Sequence, residues 1–178
     1  MKYRVVEKQY NTDRCFVCGT DNPAGTVAEF YVVEKQDERG SHEELVLLTC
    51  VTPKDIHQSY PNRMHGGVIS ALLDESIGRS AQILDPNVWA VTVELNVKFK
   101  KPVPLGRPIY IESRVNNVNR IFEGQARMFM RDASNTLVDL ATATGKFFRL
   151  PYDTVFAGAP LTDETWFKYG DTPDVIEV

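Results

Sequence analysis

The sequence predicts an α+β fold in which an antiparallel sheet of about six strands carries one long helix against a single face. Three observations predict it. Between His65 and Pro86, apolar residues recur at 68, 69, 72, 73 and 77, the spacing of one helical face. After that segment come four stretches with strand character, residues 89–100, 108–116, 121–131 and 136–148, joined by short connections. Before it lie two more, residues 27–33 and 43–51, whose charged connection reads as a hairpin turn over 34–42.

Each element has its own reason. Residues 53–64 hold two prolines and many polar side chains, which reads as a loop leading into the helix. Gly66 and Gly67 stand at the helix start, and Pro86 with Asn87 ends it. From Trp89 to Lys100 the alternation is strict. Trp89, Val91, Val93, Leu95, Val97 and Phe99 fall on one face, and Thr92, Glu94, Asn96, Lys98 and Lys100 on the other. This pattern places Thr92 on the polar face, away from the helix. Phe122, Ala126, Met128 and Met130 share a face of the 121–131 strand.

At 178 residues and 43% hydrophobic, the chain is long enough for one domain with a sizeable core. We expect residues 1–150 to form that domain, after a short N-terminal segment, and residues 151–178 to form an acidic extension. The extension has a net charge of −5, whereas residues 98–149 have +6. A basic segment of this kind suits a polyanionic ligand, or simply the solvated exterior of a sheet. The first residues are charged throughout and include no apolar run of signal-peptide type, so a cytoplasmic location is expected. Neither a nucleic-acid nor a membrane partner is expected. Cys15 and Cys18 are too close to staple a large loop. They also lack a second Cys-x-x-Cys or a His pair at ligand spacing, so no metal is expected. Their plain role is to pack the N-terminal segment under the helix. The tail aromatics Phe156, Trp166, Phe167 and Tyr169 suit an extension laid over the sheet or a neighbouring subunit, or the rim of a pocket.

Chemistry concentrates at His65-Gly66-Gly67 and Asp74. The first N–H groups of a helix lack internal partners and carry partial positive charge, so they can hold an oxyanion. A carboxylate within an apolar helix is expensive unless it has a partner or a task. Near a polarised thioester it can attack the carbonyl or activate water. Gly66 and Asp74 are eight residues apart, roughly 12 Å along the axis, so one helix cannot bring both to one carbonyl. Two antiparallel helices across a two-fold axis can, and the chemistry thus predicts a homodimer with shared sites. Glu75 is turned about 100° from Asp74, so both cannot face one site, and Asp74 is the stronger choice. His65 could act as a general acid or orient the loop by hydrogen bonds.

The stretch HQSYPNRMHGGVISALLDESIGRS resembles the hotdog-fold thioesterases of the phenylacetate-pathway (PaaI-like) type, with His-Gly-Gly and an acid nine residues after the His. CFVCGTDNPAG is similar to a Cys-Phe-x-Cys-Gly-x-x-Asn-Pro signature of a subgroup, and AVTVELNVKFKKPVPLG to the strand after the helix. The resemblance spans residues 15–150. It implies a hotdog sheet wrapped around the helix, a homodimer or a dimer of dimers, and hydrolysis of acyl- or aryl-CoA without a cofactor beyond the coenzyme A of the substrate. Residue by residue, Gly66 matches the donor to the thioester carbonyl, Asp74 the acid, and Thr92 a hydroxyl that places water in some members. Some members contact the carbonyl through an Asn or Gln before the His. Ser59 stands near that position here, with Gln58 and Asn62 close by. Gly67, Gln58, Asn62, Arg120 and Lys146 complete the expected substrate contacts, the last two as cations for the CoA phosphates. The alternatives are a hotdog dehydratase or hydratase, and a non-catalytic acyl-CoA-binding protein.

Overall fold

The structure is a computed structural model that describes residues 1–36, 43–159 and 161–178. Its strands are β1 (Lys2–Lys8), β2 (Asn11–Thr12), β3 (Glu29–Gln36), β4 (Glu43–Val51), β5 (Trp89–Phe99), β6 (Ile109–Val115), β7 (Ile121–Arg131), β8 (Leu137–Leu150), β9 (Trp166–Phe167) and β10 (Val175–Glu177). Helix α1 spans Gly66–Ser80 and the one-turn α2 spans Tyr152–Val155. Eight strands form one sheet in the order β10-β1-β3-β4-β6-β7-β8-β5, while β2 and β9 pair separately. Every pairing is antiparallel.

The six strands expected from the sequence are β3 to β8. β1 and β10 add two more at one edge, giving a hotdog fold with a longer sheet than the pattern suggested. β3 and β4 pair as a hairpin from Glu29↔Cys50 onward. The turn expected between them falls largely on residues 37–42, outside the described residues.

Helix α1 lies on one face because Ile69, Leu72, Leu73 and Ile77 are buried there in a core shared with Phe30, Leu47, Ile111, Met128 and Phe147. Each such side chain stabilises the fold by roughly 1.5–3 kcal/mol. The helix approaches the sheet closely at Ile77. A Cβ added at Gly124 would lie 2.5 Å from Ile77 Cγ2, so that strand needs glycine there. A buried polar latch fixes the helix rotation. Ser113 Oγ donates to Ser76 O at 2.7 Å, and the hydroxyls of Thr49 and Ser76 meet at 2.8 Å. A second apolar cluster, including Tyr3, Tyr31, Val46 and Leu48 of β1, β3 and β4 and Phe129 of β7, covers part of the opposite face of the sheet.

β5 sits at the far edge of the sheet, bonded only to β8. Its register slips between Thr92 and Glu94, so Val93 is an extra residue in a β-bulge. The bulge corrects the strand reading. Before it, Ala90 packs on the helix-side core; after it, Leu95 and Val97 do. Val91 and Val93, counted with the apolar face in the sequence, are instead 46% and 60% exposed. Thr92 is thereby turned toward α1, not away from it.

Candidate active site

The loop into α1 is pinned from several sides. Met64 N–H donates to Val103 O at 2.9 Å, and His65 N–H to His57 O at 2.8 Å. His57 is buried; its Nδ1 accepts from Lys54 N–H at 3.0 Å, so Nε2 carries the proton toward Ala24 O at 3.1 Å. That histidine was not singled out from the sequence, where nothing distinguishes it from a loop residue. It ties the loop to the N-terminal segment.

His65 is the N-cap, in extended geometry (φ −65°, ψ 137°), and its Nδ1 accepts from Gly67 N–H at 2.9 Å. Val68 and Ile69 N–H both donate to His65 O. Of the first-turn donors, the Gly66 N–H alone meets no acceptor among the described residues. A Cβ at Gly66 would touch only the Phe99 ring, at an ordinary 3.6 Å. Nothing within the chain therefore requires glycine at 66, and its bareness keeps the space beside a free N–H open.

Asp74 lies two turns further along, half-buried. Thr92 Oγ1 donates to Asp74 Oδ1 at 2.8 Å, while Oδ2 accepts nothing among the described residues. Burial pushes the Asp74 carboxyl above the ordinary carboxylate range, the Thr92 hydrogen bond pulls it down, and the neighbouring Glu75 charge pushes it up again. Contrary to the expectation that the two acids could not face one site, Glu75 lines the same cavity as Asp74, but its carboxylate is engaged, accepting from Arg79 Nε at 2.6 Å. Asp74 and Thr92 form part of the wall of a cavity of about 250 Å³ that runs toward Trp89, Phe156 and Trp166.

The Cys15–Cys18 turn borders the same cavity. Val17 and Cys18 N–H donate to Cys15 Sγ at 3.3 and 3.4 Å, and Arg79 Nη2 donates to Cys18 Sγ at 3.2 Å. The Cys15 thiol, hydrogen-bonded to Cys18, pulls the Cys18 thiol below the usual thiol range against the opposing burial, and the Arg79 guanidinium adds to the effect. Cys15, Cys18 and Glu75 place their donor atoms within 4.8 Å of one another. Arg79 already bonds two of the three, so the cationic partner of this cluster is a buried side chain. Cys18 is fully buried in the core beside α1, which matches the packing role expected of it.

The other expected contacts are dispersed. Gln58 Oε1 accepts from Asn62 N–H at 2.9 Å, and Asn62 has φ 60°, so this pair shapes the loop before the helix. Lys146 alternates with Phe147, whose ring packs against Gly78 of α1, and so points to the opposite face. There it stands 3.4 Å from Glu123 and 3.8 Å from Glu94. Arg120 is exposed in the β6–β7 connection, its guanidinium 5.3 Å from the centre of the Phe148 ring, with no acidic partner among the described residues.

Comparison with known proteins finds the following similarities. Residues 62–122 match the thioesterase superfamily. Over 58 residues the chain is 36% identical to acyl-coenzyme A thioesterase THEM4 of Xenopus laevis, a stretch covering 33% of this chain and 25% of that one. The chain thus matches about a quarter of that relative's length. Among solved structures, zebrafish thioesterase superfamily member 2 aligns at a TM-score of 0.57, 14% identical, over 75% of this chain and 89% of that one. A Streptococcus mutans UA159 protein solved bound to acetyl CoA aligns at 0.50, 20% identical, over 60% and 82%. At these identities the structural likeness speaks for the hotdog fold. None of the described helices is long and apolar enough to cross a membrane.

Proposed function

We propose that this chain, a hotdog-fold member of the thioesterase superfamily, hydrolyses a CoA thioester with Asp74 as its carboxylate catalyst. The observation that carries the reading is the state of Asp74. One carboxylate oxygen is fixed by Thr92, the other is free, and burial has raised its affinity for a proton. A base of that kind accepts a proton from water more readily than an exposed carboxylate does. The Xenopus relative is named an acyl-CoA thioesterase and the S. mutans structure holds acetyl CoA, which supports a CoA thioester as substrate.

In this mechanism the thioester oxygen accepts the free Gly66 N–H at the positive end of α1. Asp74 Oδ2 takes a proton from water as the hydroxide adds to the carbonyl carbon. The tetrahedral intermediate then collapses, the C–S bond breaks, and the proton on Asp74 passes to the leaving thiolate. Direct attack by Asp74, through an anhydride that water then opens, uses the same atoms. Thr92 holds the carboxylate in place in either case. The mechanism calls for no metal or redox cofactor.

Gly66 and Asp74 belong to one site only if it is shared between subunits. β5 supplies the surface for this: its outer edge is unpaired, and Val91, Val93 and Phe99 on it are each about half exposed. Joining two such edges would bury them and set two α1 helices antiparallel, with Gly66 of each facing Asp74 of the other. For the CoA phosphates, Arg120 is the stronger of the two cations, since Lys146 is shared between Glu94 and Glu123. A panel of acyl-CoA substrates, assayed by thiol release with wild-type and Asp74→Asn protein, tests the reading. Turnover by wild type and its loss in the variant are expected; no thiol release from any acyl-CoA overturns it.

A further inference from the structure

The chain after β8 supplies an edge strand to the sheet and also part of the wall of the Asp74 cavity. α2 brings Phe156 edge-on against Trp89, with ring centres 4.7 Å apart and planes at 88°. Pairing of β9 with β2 brings Trp166 to 5.7 Å from the same ring. Trp166 is itself stacked on Tyr10 at 5.6 Å and lies 5.3 Å from the Arg79 guanidinium. Two separate pieces of the chain after β8 thus converge on Trp89 in the wall of the cavity that Asp74 and Thr92 also line.

We propose that Phe156 and Trp166 are specificity-determining residues which wall the acyl pocket opening beside Asp74 and restrict it to compact acyl groups. This rests on the hydrolase reading above only for the position of the reacting carbonyl. The size limit follows from the cavity, about 250 Å³. An apolar cavity of about 150 Å³ holds a benzene ring, so the space here suits one ring or a short alkyl chain with its linkage to the thioester. A long chain would have to displace the aromatic wall, and with it the Tyr10 stack and the Arg79 contact. The extension, and not the sheet or α1, then sets the upper size of substrate.

The chain's two tryptophans, Trp89 and Trp166, both line this cavity, so intrinsic fluorescence reports its occupancy. The experiment titrates wild type, Trp166→Ala and Phe156→Ala with non-hydrolysable S-butyl-, S-benzyl- and S-dodecyl-CoA thioethers. In parallel it measures kcat/KM for acyl-CoAs of matching size. Wild type should bind the butyl and benzyl compounds with quenching, and the dodecyl compound at least ~10-fold more weakly. Each variant should lose that discrimination, with dodecanoyl-CoA turnover rising relative to butanoyl-CoA. Equal wild-type affinity for all three thioethers overturns the proposal. So do variants that weaken every chain length in proportion, which is what loss of structure alone would do; Trp166→Phe, keeping the stack, should retain the wild-type cut-off. Binding with the expected cut-off but without turnover of any thioester would leave the wall established and instead sink the hydrolase reading.

Discussion

Thr92 Oγ1 reaches from an edge strand to Asp74 Oδ1 on the central helix, 2.8 Å away and eighteen residues apart in sequence. The bond opposes the burial that makes Asp74 hard to ionise. Removing the hydroxyl with Thr92→Val should therefore raise the Asp74 carboxyl further. The acid limb of the kcat/KM profile, expected above the ordinary carboxylate value of about 3.9 in wild type, should move to higher pH in the variant. Coincident pH–rate profiles for the two proteins would exclude this coupling.

Asp74→Asn removes the proposed base but keeps the shape, and turnover should fall at least ~100-fold. The same change should stabilise the fold. Because the folded-state pKa of Asp74 is raised, its contribution to stability is fully present below the unfolded carboxylate value and is lost as pH rises through the folded value. The melting temperature of the variant should thus exceed that of wild type at pH 8, with the gap closing toward pH 4. Thermal unfolding across that range decides it, and a variant less stable than wild type at pH 8 would contradict the burial argument.

Gly66→Pro isolates the proposed oxyanion donor. Proline is well tolerated at the first helical position, and the extended backbone of His65 suits a residue preceding proline. The fold should survive while the free N–H disappears. Turnover should drop by ~10²–10³ with an unchanged circular dichroism spectrum. Near-normal kcat in a folded variant would remove Gly66 from the mechanism.

Mixing the two inactive proteins tests the shared site. In a heterodimer of Asp74→Asn and Gly66→Pro chains, one of the two sites combines wild-type Gly66 with wild-type Asp74. After equilibration of equal amounts, activity should recover to about a quarter of wild type, since half the dimers are mixed and half their sites intact. No recovery once subunit exchange has been verified, by mass spectrometry of tagged chains, would mean that each subunit works alone.

Much of this architecture is legible in the sequence, for physical reasons that differ by element. The 3.6-residue spacing of Ile69, Leu72, Leu73 and Ile77 reports a helix with one buried stripe, and the cap at His65 sits where the glycines announce it. The alternation in β5 misleads because a bulge changes which face a residue takes without changing the alternation of residue types. Val91 and Val93 look like core in sequence and are apolar on an exposed edge in the chain. β1 goes unread because Lys2, Arg4, Glu7 and Lys8 give it the composition of a solvated segment, although Tyr3 and Lys8 are buried. Lys8 owes that burial to Glu29 and to the carbonyl of Asp171, partners 21 and 163 residues away that no local pattern foretells. The clustering of Cys18, Glu75 and Arg79 escapes notice similarly, since it joins a loop to a helix some sixty residues on.

The extra residue at Val93 gives β5 two side-chain frames in one strand. Ahead of it, even-numbered positions look toward the helix; beyond it, odd-numbered ones do. A mutation that conserves hydrophobicity by alternation would therefore be neutral in one half and disruptive in the other. The two halves can also diverge separately, the first tuning what surrounds the Asp74 carboxylate and the second tuning what packs on the core at Leu95 and Val97. Losing one residue here would fuse the frames, and one half of the strand would have to present its outward side chains to the core.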